Sequence, residues 1–297
     1  MSIYQQISSN KIKTYLIMVL FVAFIALLAW VFGEASGYGG SFIGIALIIS
    51  GTISFTSYWW SDKAVLAMTG AQPADQKVHF DFYTTAENMA IAAGLPKPKL
   101  YVIDDPAPNA FATGRDPEHA VVVATTGILE CLDRTELEGV IAHELSHIKN
   151  FDIRLMAIVT VLVGTVAFVA DLFMRNLWWG GRRNNDRSSG SGIFLIVGII
   201  LAILSPIVAT LIKLAISRKR EYLADASGAN LTRNPDALAD ALEKIASNPH
   251  MLRNASSSTA HLFIENPFKK KNAGQLFASL FNTHPPLEER IRILRAM

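Results

Sequence analysis

Two long uncharged stretches near the N-terminus constrain the fold more than any other feature of this 297-residue sequence. The first covers residues 14–32 and the second about residues 42–60, with a Gly- and Ser-rich turn between them. A transmembrane helix needs about 20 apolar residues, so each stretch is long enough to cross a bilayer. The second ends in Tyr58-Trp59-Trp60, and such aromatic residues are enriched at membrane interfaces. We therefore predict a transmembrane hairpin over residues 1–60.

A cleaved signal peptide is the competing interpretation of the first stretch, because Lys11 and Lys13 precede it. The stretch is long and no clear small-residue cleavage site follows it, so we favour an uncleaved span. Lys63 and Lys77 flank the same side of the hairpin, whereas residues 33–41 contain no Lys or Arg. By the positive-inside rule, the N-terminus and the region after residue 60 lie in the cytoplasm.

A second pair of apolar stretches, residues 155–174 and 193–212, predicts another hydrophobic hairpin. The linker at 175–192 would then lie outside, yet it carries Arg175, Arg182, Arg183 and Arg187, which conflicts with the positive-inside rule. Either this hairpin spans despite the arginines, or it inserts only partly or lies against the protein. We favour spanning.

The stretch Thr135 to Phe151 predicts a helix that carries a metal site, with Thr135 and Glu138 forming a capping box at its start. His143 and His147 are four residues apart and therefore share one helical face, where two imidazoles can bind one zinc ion. Glu144 projects to the edge of that face and can act as the base for the attacking water. The alternative is that both histidines face solvent or cap a helix end.

A third ligand is needed for a catalytic zinc site, and Glu221 is the best candidate because the second hairpin returns the chain to the membrane face where His147 lies. Asp225, one turn later, can accept a hydrogen bond from a ligand imidazole and fix its tautomer. Asp236 is the rival ligand, because Asn234-Pro235-Asp236 resembles the ligand motif of intramembrane site-2 proteases. In those proteases the histidine motif lies in an apolar span, whereas here charged residues surround it.

Three short strands are predicted before the histidine motif, at Leu100–Ile103, Asn109–Gly114 and Ala120–Thr125. An amphipathic helix from Gln72 to Ala93 precedes them. A small sheet with an edge beside the cleft could pair with an extended substrate. The predicted substrate-binding residues on that edge are Asn109, Ala110, Phe111 and Ala112. The alternative is that this segment is only a loop and a sheet edge.

The C-terminal region supplies candidates for stabilising the oxyanion that develops on a scissile carbonyl. These are His284, which precedes a proline-started helix, and Arg290 within that helix. The loop-rich residues 248–282 could cover the cleft. Cys131 is the only cysteine, so no intramolecular disulfide can form, and we predict a buried rather than nucleophilic thiol. A net charge of only +2 gives no basis for nucleic-acid binding.

Together, these motifs resemble the HtpX membrane metalloproteases, whose wider group includes the eukaryotic CAAX prenyl protease. The resemblance is carried by His143-Glu144-Leu145-Ser146-His147, Glu221 to Asp225, Asn109 to Ala112, and Thr283-His284-Pro285. It implies a zinc endopeptidase of the bacterial cytoplasmic membrane, facing the cytoplasm, that degrades damaged or misassembled membrane proteins. It also implies that His143, His147 and Glu221 bind one zinc ion, that Glu144 is catalytic, and that residues 109–112 line the substrate cleft.

We therefore expect a predominantly α-helical membrane protein with four hydrophobic helices in two hairpins and a zincin-like α+β metallopeptidase domain with a small sheet. The expected divisions are residues 1–60 and 155–217 for the hairpins and residues 61–154 and 218–297 for the two parts of the catalytic domain. The expected partners are polypeptide substrates and the lipid bilayer. A non-enzymatic membrane zinc scaffold is the alternative from another functional class.

Overall fold

A computed structural model describes residues 3–35, 41–180, 218–253, 259–264 and 285–297. The described chain is mainly helical and contains one small sheet. The helices are α1 Ile3–Ala35, α2 Ser41–Thr69, α3 Phe80–Ala93, α4 Thr126–Cys131, α5 Arg134–Lys149, α6 Asp152–Gly180, α7 Arg218–Thr232, α8 Pro235–Ser247 and α9 Leu287–Leu294. The strands are β1 Gln72–Pro73, β2 Lys99–Ile103, β3 Ala110–Gly114 and β4 Ala120–Thr125. Short 3-10 turns cover Pro117–His119 and Ala260–Leu262.

Helices α1 and α2 form the predicted N-terminal hairpin. Their segments Ser8–Leu27 and Ile43–Thr69 are long and apolar enough to cross a membrane, with mean hydropathies of 1.7 and 1.3. Only 22% of each segment is buried, so neither resembles the core helix of a soluble protein. Large apolar side chains such as Val19 and Ile48 are 65% and 71% exposed, as a lipid-facing surface requires.

Helix α2 continues beyond the predicted end of the second apolar stretch. Its backbone leaves helical geometry at Trp60, where φ is −126° and ψ is 19°, and the helix then runs on to Thr69. The kink lies at the aromatic interface residues. The segments before and after Trp60 are therefore parts of one bent helix.

The predicted helix from Gln72 to Ala93 is wrong in its first eight positions. Gln72 and Pro73 instead form β1, and helix α3 begins at Phe80. Asp75 Oδ1 accepts a hydrogen bond from the Lys77 backbone N–H at 2.7 Å, a turn that competes with the helix. The helix ends at Ala93, as predicted, and is followed by Gly94, which adopts the left-handed conformation with φ of 66°.

The three predicted strands are confirmed, and β1 makes the sheet four-stranded with the order β1-β2-β4-β3. Strand β2 pairs parallel with β4, placing Tyr101 opposite Val123. Strand β3 pairs antiparallel with β4, placing Phe111 opposite Val123. Strand β3 therefore lies at one edge of the sheet, as the sequence predicted for residues 109–114.

Helix α5 carries both histidines of the predicted metal site, and twelve of its sixteen residues are buried. The predicted cap is wrong by two residues: Asp133 and Glu136 form the capping box, not Thr135 and Glu138. Gly139 allows the backbone of α8 to approach, because a Cβ there would lie 2.9 Å from the Leu238 backbone nitrogen. The neighbouring helices thus pack directly on the helix that carries the histidines.

Helix α6 begins as a buried helix. Leu155, Ile158, Val159 and Leu162 have no exposed surface and pack against Ile17 and neighbouring residues of the first hairpin. The fourth apolar stretch, residues 193–212, lies outside the described residues. The described residues therefore contain two candidate membrane helices, α1 and α2, rather than the four that were predicted.

Candidate metal centre

Three predicted ligands converge although α5 and α7 are far apart in sequence. His143 Nε2 lies 3.2 Å from His147 Nε2, and Glu221 carboxylate oxygens lie 3.9 Å and 3.6 Å from these two nitrogens. All three residues are at least 95% buried. Zinc bonds of about 2.0–2.2 Å in tetrahedral geometry place ligand atoms roughly 3.3 Å apart. The separations therefore suit one zinc ion bound by these three residues.

Each imidazole has a carboxylate on its other nitrogen. His143 Nδ1 lies 3.0 Å from Asp225 Oδ1, and His147 Nδ1 lies 3.0 Å from Asp152 Oδ2. An ionised carboxylate only accepts hydrogen bonds, so both Nδ1 atoms carry a proton. Both Nε2 atoms then present lone pairs to each other and to Glu221. Such a buried group of electron-pair donors is unfavourable without a cation, which is the arrangement of a metal centre.

The surroundings of His147 favour a positive charge at this position. Burial lowers the pKa of His147, but the hydrogen bond to Asp152 and the charge of Glu221 outweigh it and raise that pKa to about 9. A metal ion and a proton therefore compete for this imidazole. Burial raises the pKa of Glu144, against the opposing effect of both histidines. A raised pKa makes Glu144 a stronger proton acceptor than an exposed carboxylate.

Arg290 lies inside the protein, with no exposed surface, and binds the carboxylate that orients His143. Its Nε and Nη2 donate to the two oxygens of Asp225 at 2.8 Å and 2.7 Å. Burial would raise the pKa of Asp225, but the charges and hydrogen bonds of Arg290 and His143 together hold that pKa below its usual range. Arg290 Nη1 lies 3.6 Å from Glu221 Oε2 and has no hydrogen-bond partner among the described residues. Arg290 therefore lies between Asp225 and the predicted third ligand, Glu221.

The edge of β3 beside the centre is covered by the chain's own segment Ala260–Ile264. The Ile264 N–H donates to the Ala110 carbonyl at 3.2 Å, and Phe263 packs edge-on against Phe111 with ring centroids 5.1 Å apart. Leu262 and Ile264 line, with Ala112 and the metal-site residues, a cavity of about 10 Å³. A cavity of this volume holds at most about one water molecule.

Other predicted residues have simpler outcomes. His284 lies outside the described residues. Asp236 is wrong as the third ligand, because its side chain is 62% exposed and pairs with Arg295 at 2.9 Å. Cys131 is half-buried in α4 rather than fully buried.

Asp152 is the site residue that the sequence reasoning missed. The prediction continued the histidine helix through Phe151, whereas Phe151 adopts a left-handed conformation with φ of 59°. This reversal starts α6 at Asp152 and returns its carboxylate to His147. The only sequence signal was a carboxylate five residues after His147. In a helix that continued through this position, that carboxylate would not have faced His147 Nδ1.

Comparisons with known proteins agree with this geometry. The model of "Peptidase family M48" matches residues 80–297. A "Protease HtpX homolog" of Caldanaerobacter subterraneus subsp. tengcongensis is 45% identical over 100% of this chain and 98% of its own length. The homologs of Tropheryma whipplei (strain Twist) and Ligilactobacillus salivarius are 45% and 44% identical, each over 99% of this chain and over 98% and 100% of their own lengths.

Among solved structures, S. mikatae Ste24p matches with a TM-score of 0.45 and 20% identity, over 85% of this chain and 64% of that chain. The family model and the full-length relatives confirm the resemblance drawn from the histidine, glutamate and strand motifs, and with it the predicted class of membrane metalloprotease. The buried His-His-Glu cluster therefore has the setting expected of a metallopeptidase, and the chain belongs to peptidase family M48.

Proposed function

We propose that this chain is a membrane-embedded zinc endopeptidase in which His143, His147 and Glu221 bind the metal. The observation that carries this proposal is the convergence of two lone-pair nitrogens and one carboxylate within 4.8 Å of one another inside the protein. Imidazole and carboxylate ligands suit zinc, and three protein ligands leave a coordination position open, as in catalytic rather than structural zinc sites.

Glu144 acts as the general base in this proposal. Zinc, when bound, serves as a Lewis acid on the scissile carbonyl and lowers the pKa of water towards about 7. Glu144 takes a proton from the attacking water and later delivers it to the leaving amine, a role that its raised pKa favours. Arg290 Nη1 or His284 donates a hydrogen bond to the developing oxyanion.

In this proposal, the substrate pairs with the outer edge of β3 and becomes an additional strand of the sheet. Its residues Ala110 and Ala112 offer backbone groups beside the metal ligands, and Ile264 of the chain already uses the Ala110 carbonyl. A peptide in extended conformation that replaced segment 260–264 would make the same contact. The apolar sequence Leu262-Phe263-Ile264 in that position favours substrates with apolar segments.

We further propose that the enzyme lies in the bacterial cytoplasmic membrane with its active site facing the cytoplasm and acts on damaged or misassembled membrane proteins. The lysines beside the first hairpin support the orientation, since residues 33–41 contain no basic residue. The exposed apolar faces of α1 and α2 support residence in lipid. Membrane proteins supply apolar segments close to a site held at that surface.

The test compares Glu144→Gln with Glu221→Gln in full-length protein purified in detergent. Glu144→Gln is expected to retain one zinc ion per chain and to lose peptide cleavage, because only the base is removed. Glu221→Gln is expected to lose both, because a ligand is removed. Cleavage by Glu144→Gln at the wild-type rate would exclude Glu144 as the base, and a non-enzymatic scaffold would predict no cleavage by the wild type.

A further inference from the structure

A side chain from the first membrane helix reaches Asp152, the carboxylate that accepts the Nδ1 proton of His147. Asn10, in α1, is 98% buried and donates through Nδ2 to Asp152 Oδ1 at 2.7 Å and to the Asn150 carbonyl at 2.9 Å. Its Oδ1 accepts a hydrogen bond from Arg220 Nη1 at 3.0 Å. One amide thus joins the end of α5, the start of α6 and the start of α7. These are the elements adjoining His147 and Glu221.

The contact with Asp152 is the important one. Asp152 uses Oδ2 for the Nδ1 proton of His147 and Oδ1 for Asn10, while Arg220 Nε lies 3.4 Å from Oδ1. Asp152 is 99% buried, so it cannot rely on water to satisfy or orient its oxygens. The position of the carboxylate, and through it the ring of His147, depends on these neighbours.

A simple structural role does not account for an asparagine here. Asparagine is a poor helix former, and a buried amide is unfavourable unless its hydrogen bonds are made. Ile17, further along α1, already packs against α6 through apolar contact alone. Helix α1 therefore has an apolar means of attachment, and Asn10 adds a specific polar connection to the metal centre.

We propose that Asn10 is a positioning residue for the metal site, so that the N-terminal hairpin completes the active centre as well as anchoring it. The inference rests on the proposed zinc site. Asn10 touches neither metal nor substrate in this proposal. It fixes Asp152, which fixes the tautomer and orientation of His147.

The test measures metal binding rather than cleavage. Full-length wild type, Asn10→Leu, Asn10→Asp and Ile17→Ala are purified in detergent and stripped of metal. The measurements are Co²⁺ affinity by competition with a chelator, the Co²⁺ absorption spectrum and the melting temperature. Asn10→Leu keeps a similar volume without the amide, and Asn10→Asp replaces the donor with a second carboxylate facing Asp152. Both are expected to weaken Co²⁺ binding by about 10–100-fold and to alter the spectrum.

Ile17→Ala is the matched control, because Ile17 is a buried residue of the same helix without a polar role. It is expected to lower the melting temperature while leaving Co²⁺ affinity and spectrum unchanged. If Asn10→Leu binds Co²⁺ with the wild-type affinity and absorption spectrum, the inference is overturned. If Asn10→Leu does not fold, the same comparison is made with Asn10→Asp. Failure of the wild type to bind one Co²⁺ would overturn the proposed metal site itself, which separates the two conclusions.

Discussion

Replacing Arg290 with methionine tests whether burial or the number of ion pairs determines how much an arginine contributes to the free energy of unfolding of this protein. Arg290 has no exposed surface and binds Asp225, which is 99% buried, through two hydrogen bonds of 2.8 Å and 2.7 Å. Methionine fills much of the same space and removes the charge. The Asp225 carboxylate is then left buried without its cation.

The expected loss is large for this reason. Removing one partner of a buried ion pair costs about 3–5 kcal/mol in the free energy of unfolding. Arg295 is the matched control, because it follows the same helix and contacts three carboxylates, those of Asp236, Asp240 and Glu243. Its side chain is 37% exposed, so solvent screens these pairs, and Arg295→Met is expected to destabilise the protein much less than Arg290→Met.

The assay is thermal unfolding of the metal-stripped protein in detergent. At about 2–4 °C per kcal/mol, Arg290→Met is expected to lower the melting temperature by roughly 6–20 °C, and Arg295→Met by much less. Exchanging both members of the buried pair, Arg290→Met with Asp225→Leu, is expected to recover part of the loss, since no buried charge of this pair remains. The recovery is incomplete because His143 Nδ1 loses its acceptor and Glu221 loses the nearby guanidinium. A greater loss for Arg295→Met than for Arg290→Met would refute the reasoning.

Three other predictions concern the packing around the centre. Gly139→Ala is expected to lower the free energy of unfolding by about 1–2 kcal/mol, because its Cβ would lie 2.9 Å from the Leu238 backbone nitrogen. Gly51→Ala is the control, because its Cβ would meet open space, and this change is expected to stabilise the protein. Melting temperatures that fall for Gly139→Ala and rise for Gly51→Ala would support the prediction. Peptide binding to Glu144→Gln is expected to speed hydrogen exchange at the Ile264 amide, as measured by mass spectrometry, and unchanged protection would contradict displacement of segment 260–264. In the same melting assay, Phe151→Gly is expected to be more stable than Phe151→Ala by about 1 kcal/mol, because glycine tolerates the positive φ of 59°. A higher melting temperature for Phe151→Ala would contradict backbone strain at this residue.

The histidine motif could be predicted from the sequence because its geometry is local. A spacing of four residues on a helix brings His143 and His147 together whatever surrounds them, and the structure confirms the helix. The positions of Glu221 and Asp225 could be inferred because a second hydrophobic hairpin was predicted to return the chain to the face where His147 lies. The three strands were similarly evident from short apolar runs between turn residues.

The parts that were missed depend on contacts between distant segments or on unusual backbone conformations. Asn10 reaches Asp152 across 142 positions, and no local pattern in an apolar helix marks it as part of a site. The two-residue strand β1 is held by pairing with β2, and its own sequence carries little strand signal. The Ala260–Ile264 segment covers β3 through one backbone hydrogen bond and side-chain packing, neither of which sequence periodicity can express.

The reversal at Phe151 shows how the site and the fold support each other. A left-handed conformation of a bulky residue costs about 1–3 kcal/mol, so the local sequence alone favours continuing α5. Two cations lie over the Phe151 ring, Lys11 at 4.6 Å and Arg154 at 4.9 Å from its centroid, and stabilise the phenylalanine at this position. The reversal also gives Asp152 its hydrogen bond to His147, a charge-assisted bond that contributes about 1.5–3 kcal/mol. The strained turn is therefore stabilised by the contacts that it creates. One of these contacts comes from Lys11, which lies in the same membrane helix as Asn10.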